Sequence, residues 1–376
     1  TQLQIGDRIA VARRLEVPER DRRFIDVLDA LHQQGVADAD LVVSWPGLGA
    51  KVWDRRSELF GRIESIRRSP SAKWRSVIWG EIARHRRADT LPLDLLRGLG
   101  IAVPPDATVR LKTAGRSSKL PVIVHVSDEL LWLFGLWIAE GGWYEQRPKS
   151  AFVHLAADDQ LLDRAAKVID RELGLHVVRA PASTERSAAA FVHSTLLLRV
   201  LSELGFGPGP KRIPGWILGL PLDRLAWFVE GYREGDGVHS GSKLTEARRH
   251  EFSTTSDALK DDLVVAFARF GLVPSVGRYE TTFRQRTGDR RYPFWRLTLP
   301  AVSPWSPLEW AAGVEQTLQS PVDDDIVWAA VTRIDEVDAT PLVYDWSVPG
   351  RENFWAGTGV LAHNTYGPRM RARDGR

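Results

Sequence analysis

Leu133-Phe134-Gly135-Leu136-Trp137-Ile138-Ala139-Glu140-Gly141 and Val229-Glu230-Gly231-Tyr232-Arg233-Glu234-Gly235-Asp236-Gly237 are two versions of one phrase. Each sets small residues four apart, Gly135 with Ala139 and Gly231 with Gly235, and each puts an acid between the second small residue and a glycine. Residues four apart share one helical face, and a bare stripe on that face lets a second backbone come close. The two helices are therefore expected to pack against each other with their ends together. A carboxylate at a helix C-terminus opposes the helix dipole, so stability alone does not explain Glu140 and Asp236. One such helix reads equally well as a buried helix ending in an acid; two matched copies point to a paired site. Two converging carboxylates offer hard oxygen ligands for Mg²⁺, with Mn²⁺ as a substitute, and suit hydrolysis of a phosphodiester.

The same plan extends outward from both phrases. A helix from Leu130 to Gly142 leads to a strand at Ala151–Leu155, then to a helix from Asp158 that stops at Leu173-Gly174. A helix from Leu225 to Gly237 leads to a strand near His250–Ser253, then to a helix from Ser256 that stops at Phe270-Gly271. The trailing helices carry apolar residues at helical spacing, with Asp158 and Ser256 as N-caps and the glycines at their C-termini. The fold class expected is α+β with an internal duplication.

On these residues the chain resembles the LAGLIDADG homing endonucleases of the two-motif, single-chain kind. Phe134, Trp137 and Ile138 depart from the consensus letters, and the Val229–Gly237 copy is the better match. The resemblance implies duplicated αββαββ halves with pseudo-two-fold symmetry, motif helices at the interface and saddle-shaped sheets in the major groove of double-stranded DNA. It also implies that Glu140 and Asp236 are the catalytic, metal-binding acids. Lys211-Arg212-Ile213-Pro214 resembles the family's Lys-Ile-Pro block, which assigns Lys211 a supporting catalytic role; a loop cation is the equal alternative. The second half has no lysine at the corresponding place. Arg291 and Arg296 are the candidate substitutes, and cleavage of one strand stays open. Base readers are expected on Trp143–His154, His239–Phe252 and Tyr279–Leu299. The last of these interleaves Arg284, Arg286, Arg290, Arg291 and Arg296 with aromatic residues, a pattern suited to phosphates and groove edges.

Farther out, Val343-Tyr344-Asp345-Trp346-Ser347-Val348 and Gly359-Val360-Leu361-Ala362-His363-Asn364-Thr365 resemble the closing blocks of an intein. That resemblance implies a partial all-β (Hint) splicing domain in which Asn364 cyclises, His363 assists, Asp345 tunes the site and Thr365 is the downstream nucleophile. Ile5–Leu15 resembles the strand that follows the intein's amino-terminal blocks, whose initial Cys or Ser and Thr-x-x-His are not in this sequence. The chain is therefore expected to be part of a longer precursor or the larger piece of a split intein whose partner is the missing amino-terminal fragment. Thr365–Met370 resembles a stretch of nucleotide-sugar epimerases and UDP-glucuronate decarboxylases, a hint at the host protein. The expected organisation is 1–20, splicing remnant; 21–120, mostly helical insertion and candidate DNA-recognition region; 125–215 and 216–310, nuclease halves; 322–364, splicing segment; 365–376, extein. Two alternatives remain: a DNA-binding or splicing-only relic, and a split-intein piece.

Composition sets outer limits. The chain has 376 residues, 43% hydrophobic and 26% charged, enough for two or three packed cores. It has no cysteine, which excludes disulfides and thiolate zinc sites. No apolar run is long enough to span a bilayer, so no membrane partner, a cytoplasmic location and a monomer are expected. The net charge is only +3, so a polyanionic partner must be argued from arginine clusters such as Arg55-Arg56 and Arg84–Arg87, not from global charge.

Overall fold

The computed structural model describes residues 3–67, 72–112, 118–147, 150–183, 187–238, 249–283, 290–334, 353–357 and 359–363. It divides into two compact units, one of residues 20–220 and 227–236 and one of residues 1–19, 221–226 and 237–376. Among the described residues, no helix is long and apolar enough to cross a membrane.

In the first unit, the motif helix Asp128–Glu140 starts where the Ser127 hydroxyl accepts from the Leu130 amide. Every residue from Leu130 to Ala139 is buried, the mark of a helix packed on all sides. Gly141 leaves the helix in extended conformation and opens the strand Gly141–Arg147 directly. The sheet runs 178–180, 189–193, 150–156, 141–147, all antiparallel. The helix Asp159–Leu173 turns Leu162, Ala165, Val168, Ile169 and Leu173 inward; Asp158 caps it, and Gly174 ends it in left-handed conformation, φ 63°.

The second unit holds a sheet ordered 237–238, 249–254, 290–300, 275–283 and a helix Asp257–Arg269 capped by Ser256. Numbered along the chain, the strands of both sheets follow the order 1-2-4-3, and each set is interrupted by its helix after the second strand. Around each sheet the chain order is helix, strand, strand, helix, strand, strand. Phe252 packs on Phe267 at 4.8 Å between ring centres, and His250 stacks on Trp305 at 3.8 Å, so aromatic residues fill this core.

A five-stranded sheet in the second unit joins distant parts of the chain: Val322–Asp323, Ile326–Ala330, Arg8–Ala12, Val360–His363 and Asn353–Ala356, in that order. The opening strand begins at Arg8, after Gly6 turns the chain at φ 97°. Residues 21–120 carry the expected helices, at Val27–Gln33, Leu48–Asp54, Arg56–Arg67, Ala72–Ala88 and Leu93–Gly98. They also hold a four-stranded sheet ordered 90–92, 41–44, 108–111, 120–121, which the periodicity did not reveal. Its central strand Leu41–Ser44 is a short apolar run buried on both faces at Leu41, Val42 and Val43, so it lacks alternation.

Candidate active site

The seam between the motif helices is a backbone contact. A Cβ added at Gly135 would lie 2.0 Å from the Phe228 carbonyl oxygen, and one added at Gly231 would lie 1.9 Å from that of Trp132. At Gly235 the added atom would meet Ala139 Cβ at 2.5 Å and Glu140 Cγ at 3.2 Å. These distances bring the ends of the helices Asp128–Glu140 and Leu222–Asp236 together, Glu140 closing one and Asp236 the other. A polar brace fixes the register: Trp132 Nε1 donates to Glu234 at 2.7 Å, and Arg164 lies over the Trp132 ring at 3.8 Å while pairing with Glu129 and Glu234.

Lys211 enters from the loop before the second motif helix. Ile213 and Ile217, both fully buried, anchor that loop, and Trp216 Nε1 donates to the Leu204 carbonyl at 3.0 Å. The Lys211 ammonium donates to the Ala139 carbonyl at 2.5 Å, satisfying one of the open carbonyls of the helix end.

The electrostatics follow from two acids and one base drawn partly out of water. Burial, then the neighbouring Glu140 charge, pushes the Asp236 carboxyl up to about 7; Lys211 and a hydrogen bond from Tyr232 act the other way. Burial raises Glu140, opposed by Lys211. Burial lowers Lys211, opposed by Asp236 and Glu140. Raising a carboxyl from 3.8 to about 7 makes its ionised form costlier by roughly 4 kcal/mol. Added positive charge would relieve that cost. The donor set, two carboxylates without sulfur or nitrogen, fits a hard divalent cation. Among the described residues there is no cluster of three or more His, Asp or Glu that could hold a metal ion.

Two residues of the site escaped the sequence reading. Tyr232, fully buried, bonds to Asp236 one helical turn on; the spacing of four was available as a signal. His154 pairs across the strands with Gly142, and a Cβ at Gly142 would meet its ring at 2.5 Å. Burial, then the Lys211 charge, lowers its pKa. Only the strand register places it there.

The arginines expected to face DNA do not share one surface. The unbroken register of 275–283 with 290–300 puts Arg291 and Arg296 on opposite faces of the strand. Arg296 lies over Tyr279 at 4.7 Å and Phe294 at 5.6 Å. Arg284 and Arg286 lie outside the described residues, as do the block Val343–Val348 with Asp345, Asn364, Thr365 and residues 239–248 of the second base-reading segment. His363 ends the strand Val360–His363.

No family model matches the chain. An iron–sulfur cluster assembly SufBD family protein of Mycobacterium leprae is 26% identical over 64% of this chain and 29% of its own length. A DNA polymerase of Thermococcus kodakarensis is 24% identical over 97% of this chain and 26% of its own length, and one of Pyrococcus horikoshii is 27% identical over 67% and 16%. The chain thus spans less than a third of these relatives. Structural neighbours are LAGLIDADG proteins: the homing endonuclease I-DmoI in complex with DNA and Mn (TM-score 0.31, 14% identity, 45% of this chain and 89% of that one), and the N-terminal LAGLIDADG domain of DUF199/WhiA (0.26, 11%, 51% and 85%). I-DmoI has also been crystallised with DNA and Ca.

Proposed function

We propose that the chain is a Mg²⁺-dependent, site-specific DNA endonuclease of the LAGLIDADG homing kind, carried within a protein-splicing element. The observation that carries this reading is the glycine seam that delivers Glu140 and Asp236 to one spot beside Lys211. The relatives support the second part: one segment recurs as a minor fraction of proteins as differently named as an iron–sulfur assembly protein and DNA polymerases, which is how an insert mobile between unrelated hosts would be distributed.

Glu140 and Asp236 would hold the Mg²⁺, or Mn²⁺ in its place. When bound, the ion neutralises charge on the scissile phosphate and acidifies a water. In the metal-free protein Asp236 holds a proton near neutral pH and gives it up on becoming a ligand. Lys211 supplies a positive donor for a phosphate oxygen, with Ala139 holding its ammonium in place until substrate arrives. Tyr232 keeps the Asp236 carboxylate oriented by its hydrogen bond. The αββαββ halves would be related by a pseudo-two-fold axis and would lay their sheets in the DNA major groove. Splicing would proceed through Asn364 cyclisation with His363, Asp345 and Thr365 in the roles their blocks imply, once the amino-terminal fragment is supplied.

Plasmid carrying the uninterrupted host gene, incubated with the chain and Mg²⁺, is expected to be cut once, and neither Glu140→Gln nor Asp236→Asn is expected to cut it. Binding without cleavage by the unaltered chain in both Mg²⁺ and Mn²⁺ would replace the nuclease by a binding relic.

A further inference from the structure

The helix Ala72–Ala88 is held to its unit by a narrow stripe, Ile78, Ile82 and His85, all buried. Most of its remaining described surface is open, with Trp74, Val77 and Trp79 each about two-fifths exposed. It carries four arginines, Arg75, Arg84, Arg86 and Arg87, against one acid, Glu81. At its C-terminal end, Arg86 stacks over the ring of Trp53 at 4.3 Å, and Arg56 stacks over the same ring at 4.9 Å while donating to the Trp53 carbonyl at 2.9 Å. Gly49 lets the two helices meet there: its added Cβ would lie 2.0 Å from the Arg86 carbonyl oxygen.

The nearby carboxylates are engaged elsewhere. Glu58 pairs with Arg55 and Arg62, Glu64 with Arg75, Glu81 with Arg84 and His85, and Asp89 accepts from the Gly49 amide; Asp54 is exposed. Among the described residues, Arg56 and Arg86 have no carboxylate partner, and exposed Arg87 contacts only the Ala83 carbonyl. An arginine on a protein surface ordinarily keeps its rotamer freedom or takes an acid. Here stacking on an indole fixes two guanidinium groups, removing their entropy without neutralising them, and the planar fork suits phosphate oxygens.

We propose that Trp53, Arg56, Arg86 and Arg87 form a second nucleic-acid contact, which grips the phosphate backbone of double-stranded DNA apart from the carboxylate site. This deepens the nuclease reading by adding an anchor on its substrate, and it rests on that reading for the identity of the duplex. Contacts to phosphate position DNA without reading its sequence, and each displaces condensed counterions, so they show in the salt dependence of binding.

The test measures affinity of the full chain for a target duplex and a scrambled duplex across a salt series, in Ca²⁺. The variant Arg56→Gln/Arg86→Gln/Arg87→Gln is expected to bind both duplexes more weakly, with a log–log salt slope shallower by about 2 to 3, and to cleave with unchanged kcat at saturating DNA. Arg87→Gln alone, at an exposed position, is expected to lower the slope by about 1. A slope unchanged in both variants, while the unaltered chain binds and cuts, overturns the anchor and leaves the nuclease standing. Binding that depends on these arginines without any cleavage supports the anchor and sinks the nuclease. Affinity for single strands alone, or for no DNA, overturns the anchor.

Discussion

Replacing Gly231 by alanine adds one methyl group at the tightest point of the molecule's central seam. The new carbon would sit 1.9 Å from the Trp132 carbonyl oxygen, where ordinary contact begins at 3.4 Å. The obstacle is backbone, in a helix buried along ten consecutive residues, so no rotamer change relieves it. The motif helices must separate by more than about 1 Å, and overpacking of this kind costs about 1–3 kcal/mol. Alanine returns about 1 kcal/mol of helix propensity over glycine, too little to offset a backbone clash. A net loss of up to about 2 kcal/mol is expected as a lower urea midpoint. Gly80→Ala is the control: that glycine is also inside a helix but has nothing within 4 Å of an added Cβ, so it is expected to stabilise by about 0.5–1 kcal/mol. Because displacing reacting groups by 1 Å can cost about a hundredfold in rate, Gly231→Ala is also expected to lose cleavage out of proportion to its stability. A Gly231→Ala chain with unchanged midpoint and full cleavage would refute the close seam.

Asp236→Asn removes a carboxyl raised from 3.8 to about 7. A group raised in the folded state binds its proton more tightly there, so its contribution to metal-free stability falls as pH rises from about 4 to 7. The variant is therefore expected to be more stable than the unaltered chain at pH 8, with the gap closing by pH 4, and urea titrations at the two values read it. Mg²⁺ affinity, followed by calorimetry, is expected to rise with pH through about 7 and then level off, because the ion competes with the Asp236 proton. Lys211→Met removes the cation that lowers both carboxyls, so its cleavage is expected to be much reduced and its pH profile displaced upward. Asn364→Ala, with the amino-terminal fragment supplied, is expected to abolish carboxyl-terminal cleavage by mass spectrometry; unchanged products would end the splicing proposal.

The legible parts of this chain are those where local chemistry and fold agree. Asp158 and Ser256 cap the helices that follow them, and Gly174 and Gly271 take the left-handed conformation that ends them, because caps and φ > 0 glycines are decided within one helical turn. Glu140 and Asp236 were legible because two copies of one pattern pointed the same way. The strand Leu41–Ser44 was hidden because burial on both faces erases period two. His154 was hidden because its place depends on pairing with Gly142 across a hairpin, and the separation of Arg291 from Arg296 follows from strand parity that a list of basic residues does not show.

The most direct test of the shared carboxylate site is a carbon-13 NMR titration of the Asp236 side chain in the metal-free chain, repeated with Glu140→Gln. The account predicts a midpoint near 7 that falls when the neighbouring charge is removed. A midpoint at the ordinary aspartate value, or one indifferent to Glu140, would show that the two acids do not meet.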